Sequence, residues 1–257
     1  MTAKNDQLEN ALDTTNFSFY INCMNDLTEK HNVQVEIKSD VRKKFMTGVY
    51  LWMMLALVIS AVVSTALVAS PAARQALFAS SGVFWGLLIA ELVLVFVISL
   101  AIHRISVGTA TALFLVYAVL NGVTLTPLLL IYTQATVAKA FFSAAGMFLA
   151  MSIYGMVTKR DLSMLGRILF MALIGLIVAS LINIFTASST MDWIISLAGV
   201  AIFAGLTAFD TQKLNELGAQ AEENETYKKM AIIGALSLYL DFINIFIYLL
   251  RLFGSRD

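Results

Sequence analysis

Seven stretches of the chain, at 45–69, 82–103, 109–133, 137–158, 165–187, 192–214 and 230–253, are each long and apolar enough to cross a bilayer. A hydrocarbon core takes about 20 consecutive apolar residues per helix. It offers no water to backbone amides, so a stretch of this kind must close its hydrogen bonds internally, as a helix. The expected fold is therefore all-α, a polytopic seven-transmembrane-helix bundle. Composition agrees: 59% of the residues are hydrophobic and 13% charged, where a soluble domain has about half and about a quarter. The balanced net charge excludes a nucleic-acid footprint. A single cysteine, Cys23, excludes an intramolecular disulfide framework, and His31 and His103 lie too far apart for a zinc motif.

Residues 1–41 are polar and mixed in charge, and read as a cytosolic N-terminal tail, partly disordered, ahead of a membrane domain at 42–257. No cleavable signal peptide opens the chain, so the first hydrophobic segment is expected to stay in the membrane as a signal anchor. Connections are short, except the acidic stretch "NELGAQAEENETYKK" at 215–229, which reads as a loop. Lys and Arg near segment ends set orientation. With the N-terminus inside, that side holds Arg42, Lys43, Lys44, Arg104, Lys159, Arg160, Arg167, Lys213, Lys228 and Lys229. The other side holds only Arg74, Lys139, Arg251 and Arg256. The bias places the N-terminus in the cytoplasm and the C-terminus outside.

Three carboxylates fall inside apolar segments: Glu91 in the second, Asp210 in the sixth and Asp241 in the seventh. Each costs about 2.5–3.5 kcal/mol at a helix centre, so each is expected to face the bundle interior or a wet cavity. In the seventh segment Gly234, Ser237, Asp241, Asn244, Tyr248 and Arg251 follow one another at steps of three and four. That is the spacing of one helix face. The helix then needs protein or water along one side only, which places the last helix centrally in the bundle. The sixth segment ends "LTAFDTQKL", with Asp210 about one turn from the cytosolic surface. Asp241 lies about 14–16 Å in from the start of the seventh at ~1.5 Å per residue, a gap that tilt would have to close. Carboxylates that meet in a low-dielectric cavity cannot both ionise cheaply; they share a proton and titrate as a pair. Deprotonated, the pair is a hard oxygen site suited to Ca²⁺, which takes about six to eight oxygens. Ser237, Asn244, Asn121 and Thr124 are candidates for the neutral oxygens. The third segment carries its own stripe, Tyr117, Asn121 and Thr124 before Pro127, which reads as polar lining, interhelical hydrogen bonding and a kink.

"SIYGMVTKRDLSMLGRILFMALIGLIVASLINIF", "AFDTQKL" and "ALSLYLDFINIFIYLLRLFG", in that order, resemble signatures of the Bax inhibitor family, the transmembrane Bax inhibitor motif proteins. "ELVLVFVIS" and "TATALFLVYAVLNGVTL" fit the same resemblance, which covers about 45–254. It implies a seven-helix bundle with a central last helix and a pH-dependent Ca²⁺ leak sensed by two aspartates, here Asp210 and Asp241. It also implies a basic latch for them at the end of the second helix, where Arg104 stands beside His103. An ungapped match from Glu91 puts apolar Ile102 at the latch position itself. Glu91 and Arg251 match an acidic and a basic family position, and are expected to pair and close the outer end.

The leading functional expectation is a pH-sensitive calcium or other cation leak, with Asp210 and Asp241 as gate and ion site. Ca²⁺ is then the permeant or bound ion, and no cofactor is expected. The alternative is a non-conducting regulatory membrane protein. It would modulate a stress or cell-death partner, or a quality-control protease, by helix contacts. No nucleophile–base pair, metal-ligand cluster or phosphate loop marks an enzyme. The expected location is a bacterial inner membrane, with the lipid bilayer as the obligatory partner.

Overall fold

A computed structural model describes residues 38–78, 81–102, 104–220 and 224–254. The tail at 1–37 and His103 lie outside the described residues. Among those described there are only helices: α1 (Lys38–Ala69), α2 (Pro71–Phe78), α3 (Ser81–Ala101), α4 (Val107–Ile131), α5 (Gln134–Val157), α6 (Ser163–Thr186), α7 (Ser189–Gln220) and α8 (Glu225–Phe253). All but α2 are long and apolar enough to span a membrane. The expected seven-span, all-α bundle is what the chain forms.

The short helix α2 falls where the sequence reading left only a connection. Ser70 and Pro71 start it: the Ser70 hydroxyl accepts the Ala73 N–H at 3.5 Å. Pro71 occupies the first helical position, where a missing N–H costs nothing.

The centre of the bundle is shared. In both α7 and α8, 67% of the most apolar stretch is buried, against 6% in α3 and α6. α8 packs on α7, α5 and α4, α5 also packs on α7, α6 lies against α7, and α3 against α4. Small residues admit the closest approaches. A Cβ at Gly155 of α5 would lie 2.3 Å from the Ala208 carbonyl oxygen of α7, and one at Gly122 of α4 2.7 Å from that of Ser60 in α1. Only glycine lets the backbones meet at these points.

The acidic stretch at 215–229 is not the loop expected. α7 runs on to Gln220 and α8 starts at Glu225. Asn224 caps α8 by accepting the Tyr227 N–H at 3.0 Å. The start of α1 covers these extensions: Phe45 meets the Tyr227 ring edge-on at 5.2 Å and packs over Gly218. Hydropathy marks where a helix leaves the lipid, not where it ends. Likewise α1 begins at Lys38, ahead of the apolar run, with Lys43 and Lys44 exposed. Helix α4 continues through Pro127 to Ile131.

Candidate functional site

α8 is buried all round and not along its polar stripe alone: of the stripe only Gly234 and Asp241 are buried, and Ser237, Asn244, Tyr248 and Arg251 are half-buried. The stripe nevertheless brings Asp241 and Asp210 into one polar cluster between α8 and α7. The Ser237 hydroxyl donates to Asp210 Oδ2. Asp210 is ten residues from the end of α7 and Ser237 twelve from the start of α8. At ~1.5 Å per residue these are similar depths, roughly 15 and 18 Å. The two helices are extended by similar lengths, to Gln220 and from Glu225, so Asp241 stays about 9 Å deeper than Asp210 at ~1.5 Å per residue, and it is Ser237 that lies level with Asp210. Asp241 lies one turn further along, 5% exposed. It is close enough to Asp210 to feel its charge, and Thr207 lies beside it. Thr207 is itself fully buried and donates to the Phe203 carbonyl at 2.8 Å. Asp241 Oδ2 is buried and has no hydrogen-bond partner among the described residues. One layer out, Ser152 of α5 and Thr211 of α7 pair their hydroxyls at 3.3 Å.

The remaining sequence-predicted residues do not join this cluster. Asn121 and Thr124 were expected to offer oxygens to the aspartates, but they lie on the other side of α8. There Tyr239, 0% exposed, donates its hydroxyl to Asn121 Oδ1 at 2.8 Å and pairs with Ser60 Oγ of α1 at 2.7 Å. Thr124 donates to Glu91 Oε1 at 2.7 Å, with Asn121 next to the same carboxyl. Tyr117 and Phe114 pack edge-on against the Tyr239 ring at 5.8 and 6.2 Å. Residues 239 and 241 point about 160° apart around the helix, since each residue turns about 100°. That angle separates the two networks. Asn244 turns back on its own helix and donates to the Leu240 carbonyl at 2.8 Å.

Two expected pairings are replaced. Glu91 does not meet Arg251, because Glu91 lies midway along α3 while Arg251 sits in the last turn of α8. Arg251 instead approaches Asp192, in the first turn of α7, at 3.9 Å and lies 5.7 Å over the Tyr248 ring. Arg104 is exposed on the turn after α3, and no ion pair to Asp210 or Asp241 occurs among the described residues. The inward position there belongs to Ile102, 3% exposed. No group of three or more His, Cys, Asp or Glu side chains able to hold a metal occurs among the described residues. Asp210, Ser237 and Asp241 fall short of the ligand number for a resident Ca²⁺.

Sequence reasoning missed Tyr239, Ser60, Thr211, Ser152 and Asp192. It also missed Gln212, whose amide donates to the Arg160 carbonyl and accepts the Leu162 N–H, each at 2.8 Å. Tyr239 carried a usable signal: a hydroxyl-bearing ring opposite the polar stripe of a helix that is buried all round.

The chain matches a family model described as "Inhibitor of apoptosis-promoting Bax1" over residues 42–257. It is 47% identical to the inner membrane protein YbhL of Escherichia coli strain K12 over 214 residues, covering 82% of this chain and 92% of the relative. An uncharacterised protein of Borreliella burgdorferi is 42% identical over 217 residues, covering 84% and 94%. An uncharacterised membrane protein of Streptococcus pyogenes serotype M3 is 49% identical over 175 residues, covering 68% and 76%.

Proposed function

This chain belongs to the Bax inhibitor family, and from that premise we propose that it is a pH-gated cation leak with Ca²⁺ as the permeating ion and Asp210 and Asp241 as the gate. One observation carries the reading: a carboxyl on a central helix, Asp241, is buried beside a second carboxyl, and one of its oxygens has no hydrogen-bond partner among the described residues. An ionised carboxylate left this way would carry the full desolvation cost. A proton held by the pair removes that cost and keeps α7 and α8 together. Loss of the proton sets two negative charges against each other across the helix interface and opens a path between them. Ser237 holds Asp210 in place, and the freed oxygens of both aspartates receive the cation. The leak is passive and rises with pH through the titration of the pair.

The protein sits in a bacterial inner membrane with its N-terminus in the cytoplasm. Support comes from the Lys and Arg bias of the segment ends and from the E. coli relative, an inner membrane protein.

Ca²⁺ flux into proteoliposomes between about pH 6 and 8 tests the gate. Wild-type flux is expected to rise with pH, and Asp241→Asn and Asp210→Asn to flatten the profile. A normal pH profile in Asp241→Asn sinks the mechanism. No flux above empty liposomes, from protein shown to be folded, moves the function to regulation of a membrane partner by helix contacts.

A further inference from the structure

A cavity of about 610 Å³ lies between α1, α4, α5 and α8, on the side of α8 away from the aspartates' partner α7. All of its lining is apolar except Ser60, Ser64, Thr65 and Gln134. The cavity is open at the bundle surface: Phe141 is 43% and Phe142 72% exposed, and Ala61, Thr65, Ala69 and Ala138 are exposed as well. Filling it with water would take about 20 molecules at ~30 Å³ each. The polar groups for them are lacking: Ser64 and Thr65 turn their hydroxyls back to the Ala61 carbonyl of their own helix at 3.1 and 2.7 Å. On the surface of a membrane-spanning bundle, an apolar groove of this kind faces hydrocarbon and is filled by apolar groups.

The cavity's extent selects the guest. Along α1 its lining runs from Ala69, the last residue of the helix, to Leu57. Twelve residues at ~1.5 Å each make a slot about 18 Å deep. One leaflet of a hydrocarbon core about 30 Å thick is about 15 Å deep. The slot therefore starts at the helix ends, where Gln134 opens α5, and stops at mid-bundle, where Leu57, Ser60 and Phe242 line its floor. Four phenylalanines, Phe141, Phe142, Phe242 and Phe246, supply its broad walls.

We infer that this cavity is a binding site for one acyl chain of a bilayer lipid, entering from the leaflet at the α4–α5 end of the bundle. The chain's tip abuts Ser60, whose hydroxyl holds Tyr239, so the lipid bears on the bar that ties α1 to α8. The site stands independently of whether the protein conducts ions.

The full-length protein, purified in detergent and incubated with dioleoyl phosphatidylglycerol, is expected to retain one lipid in native mass spectrometry. Ala61→Phe and Ala138→Phe each fill the slot and are expected to lose that adduct while eluting as a folded species. Retention at the wild-type level in both filled variants overturns the assignment. A second measurement leaves the cavity unfilled, in case a filled variant does not fold. In Cys23→Ser, Ser64→Cys protein in vesicles of the same lipid, the new thiol, held against an acyl chain, stays protonated and is expected to resist thiolate-directed reagents. A membrane-impermeant thiosulfonate is expected to leave it untouched. Rapid modification by the impermeant reagent means the slot holds water, and also overturns the assignment.

Discussion

Helix α8 meets two polar networks on opposite sides, and they are built differently. Toward α1, α4 and α3, Tyr239, Ser60, Asn121, Thr124 and Glu91 bond one another with neutral donors, and the Tyr239 hydroxyl engages partners on two helices. Toward α7, Asp210 is held by Ser237 while Asp241 keeps an oxygen with no partner. A fully satisfied buried network fixes one packing; a partly satisfied one stores a cost that a change of protonation can release. In the proposed gate, the Tyr239 side is the static wall of the helix and the aspartate side the movable one.

The largest effects should come from the glycines through which each side closes. An alanine at Gly155 puts its Cβ 2.3 Å from a backbone oxygen of α7, and one at Gly122 puts it 2.7 Å from a backbone oxygen of α1. Neither neighbour is a side chain that can swing away. Overpacking costs about 1–3 kcal/mol, and Gly155→Ala is expected to lower the detergent Tm more than Gly122→Ala. The reverse order would mean that the α5–α7 contact yields more readily than the wall.

Next come the two polar side chains themselves. Tyr239→Phe keeps the ring contacts with Phe114 and Tyr117 but strands Asn121 Oδ1, while Ser60 keeps the Ala56 and Ala118 carbonyls at 3.0 and 2.7 Å. Measured interhelical bonds in membranes suggest about 0.6 kcal/mol each, so a modest fall in Tm is expected, with the pH dependence of flux retained. Asp241→Asn is expected to do the opposite, sparing Tm and losing the pH dependence. If Tyr239→Phe also flattened the pH profile, the two sides would be one coupled unit and the contrast would fail.

The reach of the sequence follows the same division. Asp210 and Asp241 were legible because a carboxylate in an apolar run is costly anywhere and because six α8 residues share one face. Tyr239 was not, since it sits two residues off that face and its partners Ser60 and Asn121 are 179 and 118 positions away. Asn121 and Thr124 were rightly picked as polar groups that bond between helices and assigned to the wrong side, because spacing within α4 does not say which neighbour its stripe meets. Helix ends were misread at 215–229 for a simpler reason: propensity and the Asn224 cap carry α7 and α8 past the point where apolarity stops. The outer ion pair failed on depth, Glu91 lying mid-helix and Arg251 at an end.

A smaller effect is expected at the end of the bundle shared by α6 and α7, where Gln212 clamps the 158–162 turn. Gln212→Ala removes two bonds to backbone groups, at roughly 1 kcal/mol each, with the pH profile unchanged. Hydrogen exchange at Leu162, whose N–H Gln212 accepts, checks it: protection there should fall while that of α8 stays.

The smallest effect sharpens the contrast most cheaply, because it sets an ordinary carboxylate beside the buried one. Asp161 is exposed in the same turn and accepts the Ser163 N–H at 2.8 Å. Hydrogen bonds from Ser163, side chain and then backbone, hold its carboxyl below the usual range, with Arg167 adding a weaker pull. A carboxyl lowered in the folded state contributes stability above its unfolded pKa, about 3.9 for Asp, and loses it as pH falls through the folded value. Between about pH 6 and 8 that contribution is constant. Asp161→Ala should therefore fray the first turn of α6, seen as faster exchange at Ser163, and leave the flux profile as it was. A flattened profile in Asp161→Ala would trace the pH response to the loop carboxylate and remove it from the α7–α8 interface.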